Sequence, residues 1–221
     1  MRETVCALAL LGCMLVGCQK LAERAAKPTP ADLVNQLKSD DPDLRRDAVE
    51  RLSREKWGRE GSFPKAYALM TRDDDHTVRS AALRALGGCG NTDYVKDVIA
   101  GLEDAAPSVR CDAACALGSL IHAAAIVPLS RSASSDPSAQ VRIVAVRALG
   151  QYPRADVLEI LLGRLSDREV AVRHQAAESL ATLTGEDGGD DPERWADILS
   201  AKKDPFKRPS DDDEATTAPG P

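Results

Sequence analysis

Three kinds of side chain in this 221-residue sequence could do chemistry: histidines, clustered carboxylates and cysteines. His76, His122 and His174 are scattered, and none is followed by Glu or lies in an H-E-x-x-H frame. That spacing would place two imidazoles on one helix face to hold zinc. Asp73, Asp74 and Asp75 form an acidic triplet that a hard cation could use, but the triplet suits a helix start, where acids oppose the macrodipole. No glycine-rich phosphate loop and no G-x-S-x-G nucleophile elbow occurs. Downstream of Cys18 lie Cys89, Cys111 and Cys115. Cys111 and Cys115 are spaced to share a helix face, and Cys89 sits in an earlier turn. A disulfide from Cys89 to either of the other two is the expectation, with one thiol left over. Zinc would need a fourth ligand, for which no residue presents itself. No metal or cofactor is expected.

The elements that must carry these residues are set by an internal repeat. Five segments align without gaps: DLRRDAVERLS (43–53), TVRSAALRALG (77–87), SVRCDAACALG (108–118), QVRIVAVRALG (140–150) and AVRHQAAESLA (171–181). Each has Leu or Val, then Arg, an Ala three further on and a Leu four beyond that. Leu44, Val78, Val109, Val141 and Val172 precede Arg45, Arg79, Arg110, Arg142 and Arg173. The arginines are 34, 31, 32 and 31 residues apart. The apolar positions fall on one helical face. Gly87, Gly118 and Gly150 follow at once and read as helix stops. A second apolar stretch completes each unit, clearest in DYVKDVIAGL (93–102) and ADVLEILLGRL (155–165). Each unit is thus a helical hairpin that must stack on its neighbours to bury its core.

The pattern resembles the HEAT-like repeats, including the short subtype of phycobilisome-lyase-like proteins. The resemblance spans roughly residues 31–201 and implies an all-α solenoid of about five hairpins. Asp73, Asp104, Asp136 and Asp167 each precede a repeat arginine by six residues. In the family such residues form a ladder between neighbouring repeats, which implies a structural role for Asp73, Arg79, Asp104, Arg110, Asp136, Arg142, Asp167 and Arg173. The Asp would cap the helix start while the Arg bridges to the next unit. Ser39 replaces the Asp in the first repeat. PADLVNQLK (30–38) reads as an N-terminal half-unit. Asp191-Pro192-Glu193 starts a closing helix whose Trp195, Ile198 and Leu199 cover the last face. The resemblance also implies that second helices line a concave side, making Lys96 and Glu159 contact candidates. Deoxyhypusine hydroxylase, an enzyme built on similar repeats, holds iron with His-Glu pairs that this sequence lacks.

Composition agrees with helices. Aromatic residues make up 3% of the chain against 43% hydrophobic, a balance that starves a sandwich or barrel of its usual side chains. A net charge of −6 argues against duplex binding. The exposed stripe Asp93, Lys96, Asp156, Glu159, Arg194 and Asp197 mixes signs without interleaved aromatics, so no nucleic-acid partner is expected.

Residues 1–17 read as a secretory signal: Arg2 opens it, and 4–17 are uncharged but too short to span a bilayer. Leu15-Val16-Gly17-Cys18 resembles the lipobox of bacterial lipoproteins. That resemblance implies cleavage before Cys18 and lipidation of its thiol, often followed by acylation of its amine. Two or three chains anchor stably at about 0.8 kcal/mol per buried methylene. Leu10-Leu11-Gly12-Cys13 also matches but leaves too short a hydrophobic run. Gln19, in place of the Asp that resembles an inner-membrane signal, favours the outer membrane of a two-membrane cell. Residues 18–30 form a tether, and 202–221, with the acidic run at 211–214, a disordered tail. The expected function is a membrane-anchored, non-catalytic scaffold that presents a repeat surface to another protein at the cell envelope. The competing expectation is an envelope enzyme or accessory lyase using scattered acids or Cys111 and Cys115. Bilin lyases act in the cytoplasm, the wrong compartment for an exported chain.

Overall fold

Alanine and leucine recurring on one face let helices approach closely, and the chain uses this five times over. The computed structural model describes residues 28–202 and 204–206. Among them are eleven α-helices and no strand. The signal segment, Cys18, most of the tether and the acidic run at 211–214 lie outside the described residues. No helix among the described residues is long and apolar enough to cross a membrane.

A short α1 (Pro30–Gln36) opens the fold. The repeat motifs form the first helices of the hairpins: α2 (Pro42–Arg54), α4 (His76–Cys89), α6 (Pro107–Leu120), α8 (Ala139–Leu149) and α10 (Val170–Thr184). The second helices are α3 (Phe63–Met70), α5 (Val95–Ala100), α7 (Ile126–Ser135), α9 (Ala155–Arg164) and the closing α11 (Pro192–Ala201). First helices pack on one another in sequence order, and each is also packed against the helix that immediately precedes it in the chain. Ala48, Ala82, Ala113, Ala145 and Ala176 are completely buried in this stack, as are Leu52, Leu117, Leu149 and Leu180. Leu44 departs from the repeat: it is 41% exposed, because only the short α1 precedes it.

The glycines after each motif do a different job from the one their position suggests. Gly87 and Gly118 lie inside α4 and α6, which run on to Cys89 and Leu120. A Cβ at Gly87 would stand 2.9 Å from the Ala116 Cα, and one at Gly118 would stand 3.2 Å from the Ala148 Cα. At Gly150, the cap residue of α8, a Cβ would meet the Ser179 side chain at 2.8 Å. These residues let consecutive first helices touch backbone to backbone.

The C-terminal end is closed by one aromatic ring. Asp191 caps α11 through the Glu193 and Arg194 amides, with Pro192 in the first turn. That orients Trp195 inward, fully buried, its indole N–H donating to the Gly189 carbonyl at 2.7 Å.

Candidate interaction site: the ladder edge and its grooves

The loops joining one hairpin to the next carry the molecule's most ordered polar chemistry. In each, a carboxylate sits two residues before the helix cap and accepts an amide N–H two residues on. Asp73 takes the Asp75 amide, Asp104 the Ala106 amide, Asp136 the Ser138 amide and Asp167 the Glu169 amide. These aspartates therefore shape the turn and do not cap the helix. Their distance from the first free N–H groups explains the difference from the sequence expectation. Asp75 caps α4 instead, while α6, α8 and α10 have no side-chain cap.

Each carboxylate is then gripped by the arginine of the preceding repeat. Arg45 Nε and Nη2 donate to Asp73 at 2.8 and 2.7 Å, and Arg79 holds Asp104 at 2.7 and 2.8 Å. Arg110 holds Asp136 at 2.7 and 2.9 Å, and Arg142 holds Asp167 at 3.1 and 3.0 Å. The remaining Nη1 reaches back to carbonyls at the start of the arginine's own helix, as from Arg79 to Asp73 and Asp74. One guanidinium thus ties three chain segments by bidentate, charge-assisted bonds. The Arg79 hydrogen bond holds the Asp104 carboxyl below its ordinary value, against a smaller effect of burial. For Asp73, Asp136 and Asp167 burial is the largest single influence and pushes upward. The arginine and backbone donors together outweigh it, so these too lie below the usual range.

Because each arginine reaches forward, Ser39 leaves no rung broken: Arg45 donates to the Ser39 and Asp40 carbonyls and still grips Asp73. The cut falls at the other end. Arg173 donates to the carbonyls of Asp167 and Arg168, and no carboxylate pairs with it among the described residues. The sequence pointed to the Asp and Arg types but missed Arg45 as a rung and Arg173 as its open end.

Alongside three of the four rungs the loops and second helices form grooves. The N-terminal one, about 640 Å³, is walled by Asp40, Arg45, Arg72 and Asp74. The middle one, about 290 Å³, is walled by Glu103, Arg110, Arg131 and Asp136. The third, about 540 Å³, is walled by Arg142, Arg164, Ser166 and Arg168. The sequence reading did not single out Arg164 or Arg168. Lys96 and Glu159 are exposed on α5 and α9, as a contact face requires.

The other reactive groups do not converge. No grouping of His, Cys, Asp or Glu fit to hold a metal occurs among the described residues. His76 and His122 are exposed; His174, also exposed, lies 3.4 Å from Glu178 and 3.6 Å from Asp190. Cys89, Cys111 and Cys115 are free thiols, so the expected bridge is not formed. Because α4 continues past Gly87, Cys89 comes within electrostatic reach of Tyr67 and Arg59 in the first hairpin. Cys111 instead senses Asp112, Asp136, Arg110 and Arg147. Burial pushes both of these thiols upward, away from the thiolate form.

Stacked hairpins, a continuous first-helix layer and an inter-repeat arginine ladder define an α-solenoid repeat protein. More narrowly, the chain belongs to the HEAT repeat family, whose profile matches residues 29–100, 63–137 and 126–201. Among solved structures, the complex of CpcE and CpcF of phycocyanin lyase from Nostoc sp. is similar at 25% identity. The match covers 81% of this chain and 73% of that one, with a TM-score of 0.63. A designed armadillo repeat protein in complex with the peptide (KR)4 shares the fold at 18% identity, covering 81% and 95% of the chains, with a TM-score of 0.55. No curated protein matches. The lyase likeness corrects one expectation. The sequence predicts no enzyme, yet a chain similar to it over most of its length belongs to the complex of CpcE and CpcF of phycocyanin lyase, so that exclusion falls.

Proposed function

We propose that this chain is a membrane-tethered HEAT-repeat protein of the cell envelope that binds another protein along its second-helix face and ladder edge. The observation that carries the binding reading is the uninterrupted run of four bidentate rungs. They fix the spacing of five hairpins and so hold a surface far longer than any one hairpin in a single shape. The comparisons support it: one similar structure is a complex of two proteins and another is bound to a peptide. The tether reading rests on the lipobox resemblance at Cys18. An acylated terminus would raise the local concentration of the binding surface at the membrane.

The lyase likeness favours a second reading, in which the bound protein is a substrate that the chain helps to modify. In-cell crosslinking of a tagged full-length chain, with mass spectrometry of detergent-solubilised membranes, tests the proposal. A single near-stoichiometric envelope protein is the expected result, and a modification on it that vanishes with this gene would select the second reading. Background proteins alone would remove the binding reading. Recovery from the soluble fraction would remove the Cys18 anchor.

A further inference from the structure

The three ladder-edge grooves are one piece of architecture built three times, so each serves as a control for the others. With every completed rung counted as neutral, the N-terminal groove keeps an excess of acid in Asp40, Asp74 and Asp75, while Arg72 is turned to Asp97 at 3.1 Å. The middle groove balances, with Arg131 set 3.7 Å from Glu103. The third groove keeps Arg164 and Arg168; neither makes a salt bridge among the described residues, and Arg164 acts on Asp167 only through space. Both oxygens of the nearby Asp167 are already taken by Arg142. In a chain of net charge −6 this is a local reversal of sign.

Arg164 adds a second, independent observation. Its Nε is buried and has no hydrogen-bond partner. A buried donor without an acceptor is a cost that most folds avoid. That enclosed donor holds no neighbouring acid, so the charge of Arg164 is left for the groove it lines. Ser166 adds an exposed side chain at the rim, a hydroxyl able to donate to a bound carboxylate.

We propose that the groove between the ends of α7 and α9, the start of α8 and the loop before α10 docks an acidic segment of the partner protein. One carboxylate sits on Arg164 and a second on Arg168. This rests on the protein-binding reading above and adds the partner's chemistry to it. Charge selects the segment: two unpaired guanidinium groups in one groove favour a segment with two carboxylates over a neutral one. The acidic N-terminal groove repels the same segment, which fixes the end of the solenoid at which it lands.

Fluorescence anisotropy of the full-length protein in non-ionic detergent, with fluorescein-labelled (Glu-Ser)4 and its neutral counterpart (Gln-Ser)4, tests the proposal. The Glu peptide binds and the Gln peptide does not. Arg164→Gln with Arg168→Gln weakens binding about tenfold or more. Arg72→Gln with Arg131→Gln, an equal charge change at the two sister grooves, weakens it less than about threefold. Circular dichroism melts of both double variants establish that each is folded. Equal loss in the two variants, or no binding of the Glu peptide, overturns the proposal. So does a wild-type dimer that Arg164→Gln with Arg168→Gln dissolves, since the groove would then belong to a second copy. If the partner captured by crosslinking still co-purifies with that double variant, the groove assignment fails while the binding reading stands.

Discussion

The middle of the ladder and its C-terminal end are built from the same residue types and come out differently. At Arg142–Asp167 the side chains are 3% and 7% exposed and each nitrogen of the fork has an acceptor. At Arg173, one repeat later, the fork holds two carbonyls and no carboxylate. Each repeat gives an aspartate to its predecessor and an arginine to its successor, so the last arginine is always left over. A half-rung at an end can be left to water. An apolar end cannot, and there the chain departs from its repeat to place Trp195 over the stack.

The largest effects should therefore separate middle from end. Arg142→Met strips Asp167 of its partner in a nearly closed setting and is expected to cost about 3 kcal/mol. Arg173→Met removes only carbonyl bonds at a half-buried site and should cost about 1 kcal/mol or less. Urea melts followed by circular dichroism measure both, and equal losses would break the comparison. The apolar ends invert the order. Trp195→Ala opens the closed end and should cost about 3–5 kcal/mol, whereas Leu44→Ala, at the end that is already open, should change stability by under about 0.5 kcal/mol. Trp195→Ala should also expose enough apolar surface to bind a hydrophobic dye, which Leu44→Ala should not.

The sequence made the stack legible because the same alanine and leucine recur at the same offsets, and a solenoid writes each contact several times. It misled wherever a residue's partner lies in the next repeat. Asp73 and Arg79 are neighbours in sequence, yet Arg79 grips Asp104, and only its Nη1 returns to the Asp73 carbonyl. Gly87 and Gly118 read as stops because a glycine after a leucine so often ends a helix; their reason is the facing Ala116 and Ala148. That reading also misplaced Cys89, since a helix ending earlier would turn its thiol elsewhere. Arg164 and Arg168 look like ordinary surface charges until the rungs account for both acids that line their groove.

A smaller, collective effect comes from acid. The rung aspartates have folded-state pKa values below the ordinary 3.8. A depressed carboxylate stabilises the fold fully above its unfolded value and loses that contribution as pH falls through the folded one. The melting temperature is expected to hold down to about pH 5 and then to drop as the pH falls past the unfolded value. Asp104→Asn, which titrates no longer, should lower the neutral-pH melting temperature and flatten the acid limb. An acid limb as steep as the wild type's would show that the rungs are not what acid breaks.

The smallest effect concerns how first helices end. α4 and α10 finish on Gly90 and Gly185, both left-handed at φ 66° and 73°. α6 finishes on Ile121 at φ 31°, the one non-glycine residue at positive φ among the described residues. A β-branched side chain is strained there, and with Ile121 53% exposed it recovers little by burial. Ile121→Gly should relieve that strain at the expense of a more flexible unfolded chain, for a net gain of about 0.5–1 kcal/mol. The reverse changes, Gly90→Ile and Gly185→Ile, should each lose about the same. If Ile121→Gly destabilises instead, the side chain is packing against something that its exposure conceals, and the turn after α6 belongs with the buried middle of the molecule rather than with its open edges.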